Sequence, residues 1–168
     1  MIAGELLVAY RFSSTKPLVD QGRALLEAPR VKHSIPASTL HVFEASLNRC
    51  THDAAFLERF YDRFLASSPD VAAKFRGVDM GRQRNMLKSS LYLLSYAAKD
   101  QENGLSALEG LATRHGRHQR NVRPELYDLW LTALMATVRD FDIEFNETID
   151  RAWREVMLVG ITFIRSRY

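Results

Sequence analysis

The 168-residue sequence predicts an all-α fold. Three observations carry that reading. From Thr39 onward apolar residues recur at helical spacing in run after run; no stretch after residue 38 alternates apolar and polar residues over the length of a strand; and proline, glycine or polar clusters separate the runs. The length suits one domain with an extension, and a composition of 46% hydrophobic and 26% charged residues is that of an ordinary globular protein.

Residues 1–38 read as an N-terminal arm, because Pro17, Pro29 and Pro36 leave room only for a short helix over Leu18 to Ala28. The domain proper is placed at 39–168. Its first helix carries Val42, Phe43, Ser46 and Leu47 on one face, and the second carries Phe56, Leu57, Phe60 and Phe64. Ser67, Ser68 and Pro69 stop that second helix, since a residue before proline is pushed out of the helical region. A short helical turn around Asp70 to Lys74 ends near Gly77. Met80, Met86, Leu87, Leu91 and Leu94 then mark a helix of about five turns, broken by the polar run Asp100 to Gly104. Leu105, Leu108, Leu111, Ala112 and His115 form the stripe of the next helix, which an Arg-rich loop follows. Pro124 is placed as the first residue of the helix bearing Tyr127, Trp130, Leu131, Leu134 and Val138. Ile149, Trp153, Val156, Met157, Gly160, Ile161 and Ile164 line the last one.

Charge and cysteine content remove whole classes of function. Lys and Arg number 23 against 20 Asp and Glu, and residues 1–38 hold five basic and three acidic side chains, so the body is nearly neutral. Nucleic acid is not expected as a partner, for lack of an overall basic excess that would neutralise phosphates. The apolar stretch Leu6 to Tyr10 is too short, and wrongly flanked by Glu5, for a signal peptide, and no run is long enough to span a bilayer, so the expected location is cytoplasmic. A single cysteine, Cys50, rules out an internal disulfide framework and any cysteine-only metal site within one chain.

The residues able to carry chemistry are few. His115 ends an otherwise leucine stripe, where a lone histidine is most often a satisfied core or rim residue. An imidazole that donates from one nitrogen to a carbonyl one turn earlier, such as that of Leu111, and offers the other to an apolar slot also suits a haem iron. Gln83 and Leu87 lie four apart on the helix preceding it and point the same way, with 32 residues between Gln83 and His115: room for a helix, a turn and a returning helix, hence two walls of one crevice. Taken alone, Gln83 is a solvated amide, and Tyr61 and Phe75 are core aromatics.

Jointly these residues resemble the globin family, in particular the bacterial single-domain globins and the haem domain of flavohaemoglobins. The resemblance runs over about residues 39–167 through Phe60-Tyr61-Asp62-Arg63-Phe64, Pro69 to Phe75, Gln83-Arg84 with Met86-Leu87, Leu111-Ala112-Thr113-Arg114-His115, Arg123-Pro124-Glu125-Leu126-Tyr127, and Ala152-Trp153. It implies a three-over-three helical sandwich holding haem b. It also implies that His115 is the proximal iron ligand, that Tyr61 and Gln83 line the distal pocket as hydrogen-bond donors to a bound ligand, that Phe75 packs against the porphyrin, that Leu87 crowds the ligand, and that Tyr127 lies behind the histidine. His118 is the competitor for the iron, disfavoured because it sits in the loop and lengthens the interval from Gln83 to 35.

The function this resemblance implies is binding of oxygen, nitric oxide and carbon monoxide, with nitric-oxide dioxygenase activity that depends on a separate reductase. The alternative is a haem-based sensor, or a globin-like interaction module without turnover. Two departures from the flavohaemoglobin pattern stand out. The position of its last-helix glutamate, counted from Trp153, falls on Tyr168, and no Gly-rich dinucleotide loop occurs, so electrons are expected from another protein. Arg114, Arg117, Arg120 and Arg123 bracket His115 either as a solvated helix-end cluster or as partners for haem propionates or an acidic reductase.

Overall fold

The computed structural model describes residues 35–168, among which seven helices follow one another and no strand occurs. They are α1 (Ala37–His52), α2 (Ala55–Ala66), α3 (Pro69–Lys74), α4 (Met80–Lys99), α5 (Gln101–His115), α6 (Leu126–Phe141) and α7 (Glu147–Arg165). Nearly all of the arm, including the short helix expected over Leu18 to Ala28, lies outside the described residues; of its last four, Ala37 and Ser38 already belong to α1.

Short polar side chains set most helix starts. Ser68 accepts from the Asp70 amide with Pro69 at the first helical position, Asp79 accepts from the Arg82 amide, and Asn146 accepts from the amides of Thr148 and Ile149. Two expected boundaries move for the same reason. The break over Asp100 to Gly104 shrinks to Asp100 alone, whose carboxylate accepts from the backbone and side-chain nitrogens of Asn103 and so lets residues 101–104 form the first turn of α5. Pro124 does not open α6 but precedes it. The amides of Leu126 and Tyr127 reach back to the carbonyls of Arg123 and Pro124 in a tighter turn, and the α-helix proper starts at Leu126.

The helices form two layers: α4 packs beside α1 and α5, α6 packs beside α2 and α7, and α7 crosses α1, α4 and α5 to join them. This is the three-over-three arrangement expected from the sequence. Phe43, Phe56, Phe60, Leu91, Leu108, Leu134, Trp153 and Met157 fill the space between, fully buried, with Phe43 meeting Trp153 edge-on at a centroid distance of 4.7 Å. Cys50 is buried with them, and burial pushes its thiol up to about 12, which leaves it inert. No described helix is long and apolar enough to cross a membrane.

Thr137, buried in this core, donates to the Ala133 carbonyl at 2.8 Å, and one network satisfies Ser46, Trp153 and Asp142. Ser46, which the helical pattern places on the apolar face of α1, donates to Asp142 Oδ2 at 2.5 Å and accepts from Trp153 Nε1 at 2.8 Å, while Arg49 donates to both Asp142 oxygens at 2.6 and 2.9 Å. Burial alone would raise the Asp142 carboxyl; the Arg49 and Ser46 hydrogen bonds outweigh it and hold the group below the usual carboxylate range.

The corner between α4 and α5 is the tightest approach of backbones. A Cβ on Gly104 would lie 2.3 Å from Ala97 Cα and 2.8 Å from Ala97 N, atoms that cannot rotate away. At Gly160 the nearest obstacle is the movable end of the Leu94 side chain. Gly104→Ala is expected to destabilise the fold by about 2 kcal/mol, overpacking outweighing the helix propensity gained, and Gly160→Ala by less. Urea unfolding of the two variants against the parent checks the order.

Candidate functional site

The α4–α5 hairpin places the two strongest candidates at the same end. Gln83 is 17 residues before the Asp100 corner and His115 is 15 after it, so at about 1.5 Å per residue both lie roughly 22–25 Å from the corner. The candidates fall into two groups there, one for each wall.

On the α4 side, Tyr61 from α2, Phe75 after α3 and Gln83 meet. The Tyr61 hydroxyl donates to the Gln83 carbonyl at 3.3 Å, and the Tyr61 and Phe75 rings stand edge-on at 5.8 Å. Burial pushes the phenol up to about 12, against the opposing pull of the Gln83 side chain and Arg84, so Tyr61 stays a neutral donor. Tyr61 is thus packed as a core aromatic and aims its hydroxyl at Gln83. Gln83 itself is half-buried rather than solvated, and Leu87, one turn on, is buried.

The α5 side is organised around the imidazole. His115 Nδ1 lies 2.9 Å from the Leu111 carbonyl. A carbonyl only accepts, so Nδ1 carries the proton and the lone pair sits on Nε2. Burial, with the nearby charges of Arg120 and Arg114 and against the pull of the Leu111 carbonyl, brings the His115 pKa down to about 4, which keeps the ring neutral. The Tyr127 ring lies 6.5 Å away. Arg165 fixes Tyr127 by standing 5.8 Å over its ring while bonding the Pro124 carbonyl at 2.8 Å and Asp128 at 2.6 Å. His118 is exposed in the loop.

Several residues that shape this wall were not visible as such in the sequence. Lys74 reaches from α3 to the carbonyls of Arg120 and Asn121 at 3.1 and 2.9 Å, and Arg123 pairs with Asp70. Asn121 adopts a left-handed φ of 48°, a conformation that asparagine tolerates better than most residues. Its side chain accepts from the Tyr168 hydroxyl at 2.6 Å, and Arg117 covers the Tyr168 ring at 4.9 Å. Tyr168, the position counted from Trp153, therefore engages the loop that follows the histidine.

The donor set fits a haem iron: one neutral imidazole, its tautomer fixed by a backbone carbonyl, with the Nε2 lone pair that would hold the metal. Among the described residues no group of three or more His, Cys, Asp or Glu side chains gathers to hold a metal ion on protein ligands alone.

Seven helices in two layers, with a histidine and a tyrosine–glutamine pair on the walls of one hairpin, define the chain as globin-like. No family model and no curated protein matches it. Among solved structures, a Pseudomonas aeruginosa protein described as structurally highly homologous to human haemoglobin is similar at a TM-score of 0.72 and 38% identity, over 77% of this chain and 98% of its own. The chain belongs to the globin family.

Proposed function

We propose that the chain binds haem b through His115 and takes up oxygen, nitric oxide and carbon monoxide, acting as a nitric-oxide dioxygenase with electrons from a separate reductase. The observation that carries this reading is the His115–Leu111 bond, which presents a neutral imidazole with Nε2 free to donate. A haem iron held by His115 would supply the binding of diatomic ligands.

The chain's own residues then set affinity. The Tyr61 hydroxyl holds its proton at neutral pH and now spends it on a long bond to the Gln83 carbonyl, one easily exchanged for a better acceptor. A donor aimed at a ligand that gathers negative charge, next to the apolar Phe75 ring, stabilises that charge. One such bond is worth about 1.5–3 kcal/mol, or about ten- to hundred-fold in affinity. Slow release disfavours simple oxygen delivery and favours retention for reaction with nitric oxide to give nitrate. The reducing electrons are assigned in this proposal to a separate reductase.

Three measurements test the proposal. The His115→Ala variant should lose the Soret band of the purified protein and His118→Ala should keep it; the reverse pattern would move the ligand into the loop. With Tyr61→Phe, oxygen dissociation should accelerate about ten-fold or more, and an unchanged rate would show that the hydroxyl does not reach the ligand. Stopped-flow mixing of the oxygen-loaded protein with nitric oxide should yield nitrate in a single turnover and none beyond it with NADH alone. If haem binds and no nitrate forms, the dioxygenase assignment fails and ligand binding without turnover remains.

A further inference from the structure

Charge is distributed unevenly over this nearly neutral chain. The segments 74–88 and 114–123 contain nine of its 23 Lys and Arg residues and one of its 20 Asp and Glu residues, Asp79. The first runs from the end of α3 through Gln83 and Leu87; the second starts beside His115. They are joined in space, because Lys74 of the first donates to the carbonyls of Arg120 and Asn121 in the second. Their charges reach both walls: Arg84 acts on the Tyr61 hydroxyl, and Arg120 and Arg114 act on the His115 ring.

These cations are largely uncompensated. Lys74, Arg76, Arg82, Lys88, Arg117, Arg120 and Arg123 are exposed, and among the described residues only Arg123 of the nine forms an ion pair, with Asp70. Asp79 is occupied as the cap of α4. Of the carboxylates flanking the patch, Glu109 is paired with Arg167 and Asp128 with Arg165, and Glu125 is exposed in the turn before α6. The remainder of the chain carries more carboxylates than cations.

We propose that this basic rim is the docking surface for an acidic electron-carrier protein, one bearing a flavin or an iron–sulfur cluster. The inference rests on the proposed function, which needs an outside reductant. In the step it would serve, the carrier would give up one electron and be oxidised, and a haem iron held by His115 would be reduced from ferric to ferrous, with no bond formed or broken. A rim of one sign around a crevice focuses the field there, so it speeds encounter with an oppositely charged partner and turns it toward the site. A long polyanion such as nucleic acid fits the same surface less well, because it would run from the rim onto a body of the opposite preference.

The test is a titration of the isotope-labelled full chain, carrying its haem, with an oxidised plant-type ferredoxin as an acidic carrier probe, followed by NMR. Amide shifts should concentrate at residues 74–88 and 114–123, and binding should weaken about ten-fold or more between low and high ionic strength. The double variant Arg117→Glu with Arg120→Glu, altered only at exposed positions, should bind at least about ten-fold more weakly, whereas Lys99→Glu, outside both segments, should not. Absence of binding at low salt, shifts located elsewhere, or an unchanged affinity in the double variant would overturn the docking proposal. So would a 20-base-pair DNA duplex that binds these segments more tightly than the ferredoxin. The Soret band separates the two readings: haem without docking defeats this inference alone, and a chain that takes up no haem defeats the functional reading and this inference with it.

Discussion

The absence of a side chain at Gly104 is the constraint on which the geometry of the site depends. Only a residue without a Cβ lets the first turn of α5 rest on the backbone of Ala97, and this contact closes the corner after a single residue, Asp100. A short corner fixes the register of the two helices that leave it. Residues similarly far from it along α4 and α5 then share the far end of the hairpin, Gln83 and His115 among them although 32 positions separate them. A longer or looser connection would let α5 slide, and a slide of one residue turns His115 by about 100° around its helix.

The packing of α7 on α1 is held by different chemistry. Trp153, Ser46, Asp142 and Arg49 tie α7, α1 and the turn after α6 together through hydrogen bonds that few other side chains could make. Such a buried charged network contributes little net stability compared with an apolar core of equal volume. Removing one partner is another matter, since an unpaired charge would remain in the interior, at a cost of about 3–5 kcal/mol. Its effect is therefore specificity of packing: it ties the start of α7 to α1, while Arg165 at the other end of α7 bonds the Pro124 carbonyl and stands over the Tyr127 ring.

Electrostatics joins the two halves of the site. The arginines that help to keep His115 unprotonated belong to the same basic rim that faces solvent. A cationic surface near an imidazole disfavours its protonation and at the same time attracts anionic partners. The burial of Tyr61 works in a parallel way, keeping its proton on the hydroxyl and hence its capacity to donate.

How far the sequence reached follows from the range of the forces involved. Helical periodicity, prolines and caps act within a few residues, so the number, order and faces of the helices were legible, and so was the Leu111 carbonyl as the partner of His115, one turn away. The bounds near Asp100 and Pro124 moved because a cap or a tight turn decides them by single hydrogen bonds. What joined residues far apart was not legible. Ser46 looked like a small residue on an apolar face, because Asp142 and Trp153, 96 and 107 positions away, are what give its hydroxyl a purpose. Gln83 and Tyr61 could be listed as candidates, yet their meeting needed α2 to pack across from α4. The sequence by itself determined the helices, their apolar faces and the chemical character of each candidate. Only the tertiary structure decided that the lysine and arginine residues of two separate segments form one rim, because charge acts through space and Lys74 spans a gap that the chain covers in 46 residues.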